Sequence, residues 1–318
     1  MTKQTDTKQS IQRTRLMRLE PLDQRRVMAA APMEIYAVSV INELRSDPAK
    51  FASEVNAMFR QTATSAHGYS ADDPVWTDLR DTISNGINPQ NFQLALNIMS
   101  QADPLPPLAW GGALAERSAD HNDWMQTYCF AHSSISAASP SGCFFPLPGI
   151  SQNVAGAANN PDLLTAASFG EFNNGVFNEN IGNQSGPSMP ATRAAFPVGS
   201  DGHRQRQAYF DTMNYIVETN SSDLSHLQGL LQDRREAIGI AYELLDNFGT
   251  DVQRVNFLST HTLSRNSEVG GYLTGLAYDD ENSNGFYDIG EDSSGCLTVQ
   301  AVGSNTSTEY CEMPNNHG

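Results

Sequence analysis

The chain has 318 residues, an ordinary apolar content and a formal net charge of -17. That length can bury a sizeable core in one or two domains, and the acidic balance excludes a nucleic-acid binder, which needs a basic face. No stretch approaches the length of a membrane span. The charge is uneven: residues 1–30 hold seven basic residues against three acidic ones, and Lys50 is the only lysine beyond them. An acidic body suits an extracellular protein that meets divalent cations, although the same composition also serves plain solubility.

In chain order, residues 1–32 read as a basic export leader or a disordered arm. RTRLMRLEPLDQRRVMAAAP resembles the Leu-Glu-x-Leu-x-x-Arg-Arg export segment that opens many surface proteins of one bacterial group. It has no apolar core of the ordinary secretory kind. Residues 33–56 carry Ile35, Val38, Ile41 and Leu44 at helical spacing, and Asp47-Pro48 ends or breaks that run. Residues 57–103, with scattered Gly, Pro and Asn, read as an insertion with short helical pieces. A second helix is expected from about Gly112. Residues 135–202, rich in Ser, Ala, Asn, Gly and Pro, read as long loops, which are often functional. An amphipathic helix is expected over 206–220. Strands are expected over 237–245 and 255–263, joined by a Gly-containing turn. Tyr36, Trp110, Trp124 and Phe130 are expected in the core.

The four cysteines are Cys129, Cys143, Cys296 and Cys311. They suggest disulfides and an oxidising compartment, and allow three pairings. Cys129–Cys143 and Cys296–Cys311 each close a short loop. A loop of about 15 residues would contribute roughly 3 kcal/mol in the chain-entropy picture.

Four motifs follow one another. INELRSDPAKFA (41–52) resembles the first-helix motif Asn-x-x-Arg-x-x-Pro of the CAP superfamily, also called the SCP or cysteine-rich secretory protein-like domain. PLPPLAWGGALAERSADHNDWMQTYCFAHSS (104–134) is similar to its second segment, NENIG (178–182) to its Glu-Asn-Ile strand, and SHLQGLLQDRREAIGIAYE (225–243) to its last motif. The resemblance covers residues 33–264 and implies an α+β fold, a three-layer α-β-α sandwich. It also implies a cleft lined by His132, Glu179, Glu218 and His226. Ser225 and Leu227 depart from the Gly and Arg that flank the last His in the family. SDGHRQRQ (200–207) contains a literal Gly-His-Arg, so His203 competes with His226 for that role. His67, His121, His261 and His317 match no motif.

Two imidazoles, His132 and His226, can ligate Zn²⁺ or another divalent ion, with Glu orienting a ligand or a bound water. A Glu–His pair can instead act as base and acid in hydrolysis. No Ser or Cys motif suggests an activated nucleophile, and His-Glu-x-x-His is absent. The resemblance therefore implies an exported binding module with an unknown ligand or cell-surface partner. A hydrolase and a structural cell-surface protein are the alternatives.

DENSNGFYDIGE (280–291) matches the twelve-residue calcium loop at every fixed position. Asp280, Asn282, Asn284, Asp288 and Glu291 would offer side-chain oxygens, Phe286 its carbonyl, and Gly285 the sharp turn. The flanks alternate like strands. Residues 265–318 are thus expected to form a small C-terminal β appendage built around a structural Ca²⁺ site.

Overall fold

The computed structural model describes residues 31–86, 89–128, 130–131, 178–183, 189–217, 224–245, 256–264, 278–291, 296–300 and 307–311. The fold is α+β. Among the described residues no helix is long and apolar enough to cross a membrane.

Helix α1 (Pro32–Ser46) starts on a proline, and the Glu34 carboxylate accepts the Ala31 amide at 2.8 Å. Its buried stripe of Tyr36, Ala37, Val40, Ile41 and Leu44 includes two residues of the expected run, while Ile35 and Val38 pack half-buried against the core. Asp47-Pro48 breaks the run and at once begins α2 (Pro48–Phe59), because the Asp47 carboxylate caps the Lys50 amide at 3.0 Å. The stretch 57–103, expected as an insertion with short helical pieces, is largely helical. It holds a hairpin, β1 (Ser65–Ala66) and β2 (Tyr69–Ser70), then α3 (Pro74–Asn85) and α4 (Pro89–Gln101). These helices bury Trp76, Leu79, Ile83, Leu96 and Met99 in the same core as α1.

The remaining elements are β3 (Ala109–Trp110), α5 (Gly112–Thr127), β4 (Asn178–Asn183), α6 (Pro190–Ala195), α7 (Asp201–Val217) and α8 (Ser225–Leu230). They are followed by β5 (Ala237–Leu245), β6 (Asn256–Ser264), β7 (Cys296–Gln300) and β8 (Ser307–Cys311). One sheet runs β3-β5-β6-β4, with β3 parallel to β5 and the other pairs antiparallel. Ile238 and Ile240 of β5 join the core with α1 and α7. Gly239 between them faces α5, where a Cβ would stop 2.1 Å from the Ala115 amide nitrogen. α5 is tied to that strand by Ser118 Oγ donating to the Gly239 carbonyl and Asn122 Nδ2 donating to the Ala241 carbonyl, each at 3.1 Å.

α1 also fastens segments far away in sequence. Asn42 donates to the Leu108 carbonyl at 3.1 Å and accepts the Leu108 amide at 2.7 Å. Arg45, fully buried, donates to the carbonyls of Pro106 at 3.0 Å, Leu230 at 2.5 Å, Gln232 at 3.2 Å and Arg235 at 3.2 Å. Backbone oxygens rather than a carboxylate satisfy this cation, and burial pushes its pKa down to about 10.

Candidate functional site

Of the four cleft residues implied by the family resemblance, His132 and Glu218 lie outside the described residues. Glu179 sits on β4 with Thr262 of β6 as its register partner. His226 is half-buried on α8 and meets the Tyr215 ring edge-on, with centroids 5.3 Å apart and planes at 87°. Its neighbours Leu227 and Leu230 anchor the short helix in the core. The competing His203 lies fully buried inside α7. Burial, with Arg193 and Arg204 adding, pushes its pKa down to about 4. A neutral, enclosed imidazole suits packing better than a solvent-lined cleft. Of the other histidines that match no motif, His121 is buried and stacks on Trp124 at 14°, and His261 lies on β6. His317 is outside the described residues.

In the calcium-type loop the side-chain oxygens accept the loop's own amides around a tight turn. Asp280 accepts the amides of Asn284 at 3.1 Å and Gly285 at 2.8 Å. Asn282 and Asn284 accept the Asn284 and Phe286 amides at 3.0 and 2.7 Å. Glu291 accepts the amides of Glu281 at 3.1 Å and Asp288 at 2.8 Å, closing the loop end to end. Gly285 at φ 79° makes the turn where the pattern needs it. Asp288 gathers the amide groups of Asn282 at 2.5 Å and Asn284 at 2.7 Å, together with that of Gln205. Among the described residues, Asp280, Asp288 and Glu291 form no ion pair with Lys or Arg. Burial and these carboxylates both push the Tyr278 and Tyr287 hydroxyls up. Three carboxylates with two amide oxygens and a carbonyl make a hard oxygen set that fits Ca²⁺.

Residues 278–291, within the stretch 265–318 expected as a small β appendage, pack against the α1 and α7 core. Gln205 of α7 grips it on both sides, donating to Asp288 and accepting the Ile289 amide at 2.8 Å. Tyr287 and Ile289 lie in the same core as α1 and α7. Further along, β7 and β8 pair in a two-stranded sheet, with Cys296 and Cys311 as its first register pair.

One group of side chains was missed in the sequence. Glu43 on α1, Glu54 on α2 and His67 at the β1–β2 turn each bring one ligand atom within 4.8 Å of the others. His67 at φ 51° and Gly68 at φ 78° form the two-residue turn, a conformation that His tolerates better than most residues. The turn drives the ring inward, to 2% exposure, where it stacks on Phe51 at 15°. The only sequence signal was His-Gly between short β-prone runs, which marks a turn but not where its side chain goes.

No family model, no curated protein and no solved structure matches the chain.

Proposed function

We propose that the chain is an exported binding module of the CAP type, a three-layer α-β-α sandwich. In this reading its cleft, lined by His132, Glu179, Glu218 and His226, holds a divalent metal or a small apolar ligand, and a structural calcium ion sits in the 280–291 loop. The observation that carries this reading is the role of the Asn-x-x-Arg motif. Asn42 and Arg45 reach out of the first motif and hold the backbone of the second, at Pro106 and Leu108, and of the last, at Leu230. Segments chosen for their likeness to one family are thus bonded to one another by the motif residues themselves. The opposite facing of Gly239 and its Ile neighbours supports helices on both sides of the sheet. The register of Cys296 with Cys311 supports a local disulfide and so an oxidising compartment outside the cell.

In the cleft, His132 and His226 would hold the metal through neutral imidazole nitrogens, while Glu179 and Glu218 would orient a ligand or water. Zinc analysis of the purified protein, alongside a His132→Ala, His226→Ala double variant, tests the reading. Loss of one bound zinc per chain, or of ligand binding, in the double variant is the expected result. Binding unchanged in that variant would overturn the cleft assignment. Turnover across peptide and ester panels, lost in Glu179→Gln, would replace the binding module with a hydrolase.

A further inference from the structure

We propose that Glu43, Glu54 and His67 form a binding site for a zinc-class divalent cation that clasps α1, α2 and the β1–β2 hairpin. This proposal does not rest on the CAP-type reading, and its residues are not those of the cleft. Its first support is an unpartnered nitrogen. His67 Nδ1 lies 2.7 Å from the Tyr209 hydroxyl, while Nε2 is buried without a hydrogen-bond partner. Nε2 lies 3.5 Å from Glu54 Oε2 without forming a hydrogen bond to it. Glu43 Oε2 on the other side is also buried without a partner.

The spacing suits a cation. Ligands at about 2.0–2.1 Å from a tetrahedral ion sit roughly 3.3 Å apart, close to the His67–Glu54 separation already present. With Nδ1–H donating to Tyr209, the Nε2 lone pair would face two carboxylates, an arrangement that repels unless a cation lies between them. The Tyr209 contact is the outer bond that fixes ring orientation and tautomer at histidine metal sites. Lys50 Nζ stands 3.5 Å from the other Glu54 oxygen, Oε1, and so leaves Oε2 for the ion. Glu54 is one-third exposed, which gives an entry path from solvent.

The donor set selects the metal class. One imidazole nitrogen with two carboxylates suits Zn²⁺ or a similar borderline ion, and water completes the coordination. Calcium prefers six to eight oxygens and would be directed to the other loop. A neutral core histidine beside a protonated Glu43 is the competing account. It would bind no metal.

The test uses full-length protein stripped by chelator and returned to saturating calcium, with cobalt(II) as the probe and zinc as competitor. The His132→Ala, His226→Ala double variant removes any contribution of the cleft. In that background one cobalt per chain should remain, with visible absorption bands that zinc abolishes. Glu54→Gln should weaken uptake by more than about 100-fold, and Tyr209→Phe by roughly 10–100-fold. X-ray absorption on the zinc form should count a single imidazole, a reading that stands even if a Gln variant folds poorly. No uptake in the double variant, or uptake indifferent to both Glu43→Gln and Glu54→Gln, would overturn the proposal.

Discussion

Gly239 and Ala115 pack so closely that no side chain fits between them: a Cβ on residue 239 would lie 2.1 Å from the Ala115 amide nitrogen. The atom met is backbone, within a helix that cannot flex aside. Gly239→Ala should therefore lift α5 off β5, stretching the Ser118 and Asn122 bonds, and cost about 3 kcal/mol or more. Urea unfolding would measure it. A variant within about 0.5 kcal/mol of wild type would show that helix and strand are not in contact as described.

Arg45 should be intolerant of substitution for a different reason. Removing its guanidinium leaves four carbonyls to find new partners in a buried junction. Each orphaned group costs about 1–3 kcal/mol before water or relaxation intervenes. Arg45→Ala should lower stability by at least 3 kcal/mol on that basis, roughly. Arg45→Lys should recover only part, because a point-like ammonium cannot span the fork. Chemical denaturation of both variants checks the order, and equal stability of Lys and Arg would contradict it.

Calcium should stabilise the body of the protein and not merely the loop. Gln205 joins the loop to α7, and Tyr287 and Ile289 join it to the core. An ion that binds only the folded state adds about 2.7 kcal/mol at 100 times its Kd. Calorimetry in calcium and in chelator should show one main transition that moves by several degrees, with Glu291→Gln insensitive to the ion. A main transition that ignores calcium would refute the site.

His203 should leave an acid signature. Its pKa is held near 4 by burial first and by Arg193 and Arg204 second, against about 6.5 in an unfolded chain. The unfolded state therefore takes up a proton that the folded state refuses. Stability contributed above pH 6.5 is lost as pH falls towards 4, by up to about 3 kcal/mol. The loss between pH 7 and 4.5 should be smaller in His203→Gln than in wild type, measured by unfolding at each pH. Parallel pH profiles would argue that the imidazole is charged or exposed.

The elements with clear periodicity were legible in the sequence. The apolar stripe of α1 and the paired runs of β5 and β6 were read within a few residues of where they lie. In residues 57–103 the helical pieces were legible but not their extent, because the scattered Gly, Pro and Asn read as interruptions. Pro74 and Pro89 instead open helices, where the missing amide costs nothing, and Asp73 caps the Val75 amide. The tight turn at Gly285 was legible because a twelve-residue spacing is local. The Glu43, Glu54 and His67 group was not, since three elements must fold together before those atoms approach, and none of the spacings repeats a helical or metal-loop pattern. The docking of Tyr287 on the core was equally hidden, because an aromatic in a polar loop carries no mark of the surface it will meet.

Because the loop at 278–291 supplies Tyr287 and Ile289 to the body's interior, the cooperative unit is discontinuous along the chain. A fragment halted at residue 264 would keep every strand of the four-stranded sheet yet lose two of its interior plugs, leaving α7 with a wet, unfilled flank. Grafting or dissecting this protein at the end of β6 would therefore cut through its foundations, however natural that point looks on paper.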